Sequence, residues 1–335
     1  MKLKATIPIA AGFFLALFLI GTQGFRTVTN AVLAVGWGLL GVTLFHLITI
    51  ACSSLAWRRL LADKWHQDLR VFIQARWIRE GVNDLLPVAQ IGGHVAGARI
   101  LTLHGAKPDV AGASVVVDVT MRMIALLLFT FIGLALFLQE HVHHTVLPWL
   151  IGGILWGILA LLSFIVAQRC GLLRVLERLF QALAKKWNWP SLGNIENLHE
   201  SIQVIYHHPV NLLLSGGLHL LSLGVGAIEI WLALSFMGFP VEFQHALLVE
   251  SLGQAIRTAG FWVPGALGVQ EGGYLLLGSL IGLPASVGLA VSLVKRVRDW
   301  LLGLPALLAW NVIEYRRQEL KISLKNGSLQ NRQHF

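Results

Sequence analysis

Hydrophobic positions in this chain fall in long blocks rather than in the alternating or helical rhythm of a soluble fold. Six blocks read as full membrane spans: 7–21, 31–57, 111–138, 147–166, 210–236 and 285–313. A bilayer crossing takes about 20 mostly apolar residues in a helix, and a helix satisfies its own backbone groups in lipid. A β-barrel strand would alternate polar and apolar residues, and 31–57 shows no such alternation. Two further apolar stretches, 80–105 and 246–282, are interrupted by Gly and Pro. The pattern predicts an all-α polytopic membrane protein with about six full spans and two broken, re-entrant segments. For 80–105 the length favours a re-entrant hairpin. For 246–282 a hairpin and two crossings both fit.

Polar residues between the blocks orient the chain. Basic residues collect at Lys2 and Lys4, in 57–79 (Arg58, Arg59, Lys64, Arg70, Arg76, Arg79), in 167–209 and in the tail after Ile313, whereas 139–146 and 237–245 carry no Lys or Arg. The positive-inside rule then places both termini and the two basic loops in the cytoplasm. Leu172 to Leu183 have the spacing of a basic amphipathic helix on a membrane surface. The tail is expected to lose order beyond Lys325. The first block follows two lysines like a signal peptide, but no small-x-small site follows it, so it reads as an uncleaved anchor.

Composition agrees with the pattern. Of 335 residues, 56% are hydrophobic and 13% charged, and the mean hydropathy is +0.69. A net charge of +9 would suit nucleic acid, but the basic residues lie where topology and anionic lipid headgroups account for them. Two cysteines, Cys52 and Cys170, make no disulfide framework.

The broken stretches resemble each other. Arg79 and Arg257, Pro87 and Pro264, Gly105 and Gly282, Asp118 and Lys295, and Arg122 and Arg298 recur at separations of 176 to 178 residues. Gly92-Gly93 and Gly272-Gly273 match more loosely. Combined with the loop charges, this predicts two inverted halves, 1–138 and 139–315, followed by a polar tail, 316–335. Inverted repeats with broken helices are a recurring transporter architecture with substrate near the midplane.

Ionisable groups inside spans are costly and are functional candidates by default. Asp118 and Arg122 sit four residues apart on one helical face and can pair; Lys295 and Arg298 take the corresponding depth in the other half. The four could converge on a polar path for an anionic headgroup, Arg122 and Arg298 matching phosphate oxygens, or form a structural ion-pair cluster. Arg79 and Arg257 open the broken stretches, either snorkelling to headgroups or guiding them inward. Asn83 and Pro87 follow the first; Pro264, Gly268, Glu271 and Gly272 follow the second. Backbone freed at these breaks demands protein partners or a water-filled cavity, and Glu271 is the acid expected inside it, with Glu250 a weaker candidate. His141, His143 and His144 lack a ligand set for metal, and no nucleotide or hydrolase motif is present. No cofactor or metal is expected.

The residues Arg79, Asn83, Pro87, Gly92-Gly93, Gly97 and Arg99, with Trp262, Pro264, Gly268, Glu271 and Gly272-Gly273, resemble the membrane module of the lysylphosphatidylglycerol synthase family, and among its branches the one associated with hopanoid biosynthesis. The resemblance spans 5–315 and implies a bacterial inner-membrane protein handling lipids. Arg79, Asn83, Pro87, Pro264, Gly268, Glu271 and Gly272 are the positions it carries over. The soluble aminoacyltransferase domain of the two-part members is absent, so aminoacyl transfer is not expected. The resulting expectation is a translocase of a phospholipid, glycolipid or hopanoid, with membrane lipids and lipid-biosynthesis enzymes as partners. The alternatives are a membrane-embedded headgroup or glycosyl transferase and a non-catalytic scaffold of a lipid-synthesis complex.

Overall fold

The computed structural model describes residues 30, 33–62, 65, 67–86, 91–139, 198–260 and 263–332, with isolated positions between 152 and 166. The expected span 7–21, most of 147–166, the histidine cluster, the 172–183 pattern, Cys170 and Pro87 lie outside these residues. The described residues form α1 (Gly38–Leu60), α2 (Leu69–Leu85), α3 (Ile91–Leu103), α4 (Pro108–Gln139), α5 (Leu198–Tyr206), α6 (Pro209–Phe236), α7 (Phe243–Ala259), a 3-10 turn (Pro264–Ala266), α8 (Val269–Leu280) and α9 (Ala285–Arg332). No strand occurs among them. Three of these helices, α1, α4 and α6, are long and apolar enough to cross a membrane.

Both interrupted stretches are helix–break–helix hairpins. The first arms, α2 and α7, have 17 residues each, and the second arms, α3 and α8, have 13 and 12. At 1.5 Å per residue the longer arms reach about 25 Å, short of a hydrocarbon core of about 30 Å. The arms run antiparallel. A Cβ on Gly97 would meet Trp57 and Arg79, and one on Gly253 would meet Tyr274, so glycine on one arm admits a large side chain from the other. The α2 helix starts after Asp68, whose carboxylate accepts the Arg70 N–H at 3.4 Å. It ends at Leu86, in extended conformation, as expected of the residue before a proline.

The halves repeat and are inverted. The starts of α2 and α7 are 174 residues apart, as are their ends, and α4 and α9 start 177 apart. Packing is exchanged between halves: α2 lies against α9, and α7 lies against α4. The counterparts α1 and α6 pack on each other, with Gly38 beside Phe236, His46 on Glu229 and Ser53 on Ser222. Pairing that climbs one helix while descending the other is antiparallel, so the two halves run in opposite senses. The hairpin tips meet between them: Arg257 near the end of α7 bonds Asp84 near the end of α2 at 2.7 Å.

Three expectations change here. Arg76 and Arg79 are not loop charges, because α2 already begins at Leu69 and buries both. Arg79 and Arg257 are not counterparts, because helix ends and the Arg79–Gly97 and Gly253–Tyr274 contacts align Arg79 with Gly253. The tail does not lose helix after Lys325: α9 continues to Arg332. Extending a formed helix costs no new nucleation, and Leu320, Lys321, Leu324 and Lys325 are good helix formers.

Candidate functional site

Apolar side chains fill two large clusters, one around α2 and α3 and one around α7 and α8. Between and within them runs a seam of charge in four groups.

The first group centres on Asp118 of α4, which is fully buried. Its carboxylate accepts from Arg79 at 2.6 Å, Arg76 at 3.2 Å and the His219 Nε2 at 2.9 Å. Arg76 also donates to Glu80, one turn on, at 2.8 Å. Trp57 stacks on Arg79 with the guanidinium 5.4 Å from its ring centre, a cation–π contact that steadies a desolvated charge. Trp57 is itself fixed by its indole N–H on Ser114 at 3.0 Å. Asp118 does not pair with Arg122. That guanidinium is half-buried and stands within electrostatic reach of Arg76, Glu80, Arg79 and Asp118. No carboxylate among the described residues lies within salt-bridge distance of it.

The second group is the counterpart of the first, with its charges exchanged. Glu250 of α7 stands where Arg76 does, and Lys295 of α9 stands where Asp118 does. Lys295 Nζ donates to Glu250 at 2.6 and 2.8 Å and sits 2.8 Å from the Tyr274 hydroxyl, which itself donates to Glu250 at 2.7 Å.

The third group holds the break of the second hairpin. Gly265 and Gly268 have φ of 61° and 77°, the left-handed region that side chains disfavour. Glu271 accepts the Gly268 N–H at 2.6 Å, capping the start of α8, and accepts Arg296 Nε at 2.8 Å. Arg296 also donates to the Gly265 carbonyl. The Gly272 N–H continues the turn onto the Gly268 carbonyl at 2.9 Å, and Pro264 opens the 3-10 turn. The first hairpin solves the same problem from its other arm: Asn83 Oδ1 accepts the Gly93 N–H at 2.9 Å. Helix starts carry orphan donors that must be satisfied when removed from water. Asn83 and Glu271 do that at the two breaks.

The fourth group lies where the halves meet. Arg257 bonds Asp84 at 2.7 Å and stands 3.7 Å from Asp299. Arg298 bonds Asp299 at 2.6 Å and also bonds Glu229. Glu229 further accepts from His46 at 2.7 Å and Thr49 at 3.1 Å. Beside this group a narrow cleft opens between α1, α2 and α9, lined by His46, Trp77, Glu80, Asp84 and Asp299.

The seam departs from expectation in its membership. Asp118, Arg122, Lys295 and Arg298 form no ion pair with one another; Asp118 is held by Arg76, Arg79 and His219, Lys295 by Glu250, and Arg298 by Asp299 and Glu229. Glu271 caps a helix instead of lining the cleft, and the acids that line it are Glu80, Asp84 and Asp299. Arg79 and Arg257 are held by carboxylates, which leaves no snorkelling role for either. Arg76, Glu229, His219, His46 and Arg296 were missed. Glu229 and His219 sit inside the apolar block 210–236, and the rule that singled out Asp118 also finds them. Arg296 lies between two residues already singled out.

Two inverted helical hairpins meeting tip to tip around buried charge define an integral, multi-pass helical membrane protein. The chain belongs to the family described as lysylphosphatidylglycerol synthase TM region, whose family model matches residues 7–306. No curated protein and no solved structure matches it.

Proposed function

We propose that this protein is a lipid translocase of the inner membrane, both termini cytoplasmic, that passes a phosphate-bearing headgroup along the charged seam while the tails stay in lipid. The observation that carries this reading is Arg122. In its group Arg76, Arg79 and Arg122 face two carboxylates, Asp118 and Glu80. The surplus is one positive charge within the bundle, and desolvated charge is retained only where something balances it. A lipid phosphate supplies the missing charge, and a guanidinium fork matches its oxygens. The hairpin geometry supports the same reading, since broken helices meeting near the middle of inverted halves frame midplane sites in transporters.

The test uses the purified chain in phosphatidylglycerol vesicles carrying fluorescent phosphatidylglycerol, with a membrane-impermeant quencher reporting the exposed leaflet. Probe lipid is expected to change leaflets faster than in protein-free vesicles. Arg122→Gln is expected to slow it roughly ten- to hundredfold, the scale of one lost charge-assisted contact of about 1.5–3 kcal/mol. No protein-dependent flux, or full flux in the variant, defeats the reading.

A further inference from the structure

The fourth group of the seam has the opposite imbalance, and it faces an opening. Three carboxylates, Asp84, Asp299 and Glu229, meet two guanidiniums, Arg257 and Arg298. Arg122, the surplus cation of the first group, does not line the cleft, and the nearer charges are already paired. Glu80 of α2 is taken by Arg76, and Lys295 of α9 is taken by Glu250 of α7 and Tyr274 of α8. His46 of α1 is the one remaining titratable group on the cleft, and it touches Glu229. One negative charge is therefore in excess at the junction of the halves.

Asp299 shows where that charge is unmet. Its side chain is 6% exposed and lines the cleft, and its Oδ2 has no hydrogen-bond partner. Its Oδ1 is taken by Arg298 at 2.6 Å, while Arg257 stands 3.7 Å from Oδ2, beyond hydrogen-bond reach. The cleft has room for about one water molecule. A species that neutralises Asp299 must be that small. Hard metal cations need several oxygen ligands around one point, and among the described residues no His, Asp and Glu side chains are grouped to hold one. Carboxylate and imidazole together are the groups that exchange protons inside membrane proteins.

We propose that this cleft is a proton-exchange site, in which a proton from cleft water binds Asp299 Oδ2 and loosens the Asp84–Arg257–Asp299 bridge between the hairpin tips. The step balances: hydronium gives up one proton and returns to water, the carboxylate becomes a neutral acid, and the group's net charge goes from minus one to zero. Arg257 is left with Asp84 alone, so the tip of α7 is held to α2 but no longer drawn to α9. His46 stands between the cleft and Glu229 and carries the proton inward. The consequence for transport rests on the translocase reading above; proton binding itself does not.

Two measurements separate the two claims. Difference infrared spectroscopy on the full chain in detergent, across a pH step, is expected to show a protonated-carboxyl band that disappears in Asp299→Asn. The same fluorescent phosphatidylglycerol vesicles, given an inward pH gradient, are expected to shift the leaflet distribution of the probe. The limit for one-to-one electroneutral coupling is about tenfold per pH unit. The gradient response is expected to vanish in Asp299→Asn and in Asp84→Asn. If Asp299→Asn does not fold, Asp84→Asn and His46→Gln carry both readouts. Absence of the band in wild type, or its persistence in every folded variant, overturns the proposal whatever the lipids do. A response to a sodium gradient with none to pH also overturns it. A band without lipid movement leaves the proton site standing and defeats the translocase reading.

Discussion

Asp118 is the residue on which the first half depends most. Three donors converge on one fully buried carboxylate, and two of them are arginines with little access to water. Removing one partner of a buried ion pair costs about 3–5 kcal/mol, because the other charge is left uncompensated. Asp118→Asn is therefore expected to lower the unfolding midpoint in detergent sharply, while Arg70→Gln, an exposed pair with Asp68, moves it little. Equal midpoints for the two variants would show that Arg76 and Arg79 find other partners. The seam was partly legible at this scale. An acid in an apolar block is visible in any sequence, and Asp118 stood out for that reason. Its partners were not, because ion pairs across 39, 42 and 101 residues follow from tertiary packing that no local spacing encodes.

Glycine sets the packing of the helical elements. A Cβ on Gly288 of α9 would land on the Tyr274 carbonyl of α8, and one on Gly93 of α3 would land on the Arg79 carbonyl of α2. Backbone cannot yield as a side chain can, so Gly288→Ala is expected to destabilise by about 1–3 kcal/mol, the usual range for overpacking. Gly224 of α6 meets nothing within 4 Å. Gly224→Ala is expected to be neutral or to stabilise by up to about 1 kcal/mol, since alanine loses less backbone entropy in a helix. Thermal unfolding of the two variants side by side checks both; a loss as large at Gly224 as at Gly288 would show that close approach is not the cause. The breaks were legible from their Gly and Pro content. The arm boundaries were not, since α2 starts eleven residues before the apolar stretch at 80. Its first turns are charged, and hydropathy alone reads charge as loop.

At the scale of the molecule, the described residues form two hairpin-bearing units of opposite sense. Gln67, before α2, and Gln244, at the start of α7, lie at the outer ends of their hairpins. A cysteine at each, with Cys52 and Cys170 replaced by serine, is expected to react with a membrane-impermeant maleimide from opposite sides of oriented vesicles. Labelling of both from one side would remove the inversion. The near-constant offset between motifs was readable along the chain and predicted this arrangement. It could not show that α2 and α7 align at 174 while α4 and α9 align at 177, because the length of the break differs between halves.

The exchange of charges between counterparts has an electrical consequence. In the first half, positive Arg76 on the hairpin faces negative Asp118 on the long helix; in the second, negative Glu250 faces positive Lys295. A two-fold rotation lying in the membrane plane turns any vector along the membrane normal upside down. Had both halves kept the same signs, their dipoles along the normal would cancel. With the signs reversed, those components add. The exchanged signs thus make any components of these pairs along the membrane normal reinforce each other. A transmembrane potential acts on any rearrangement that moves such charges along the field.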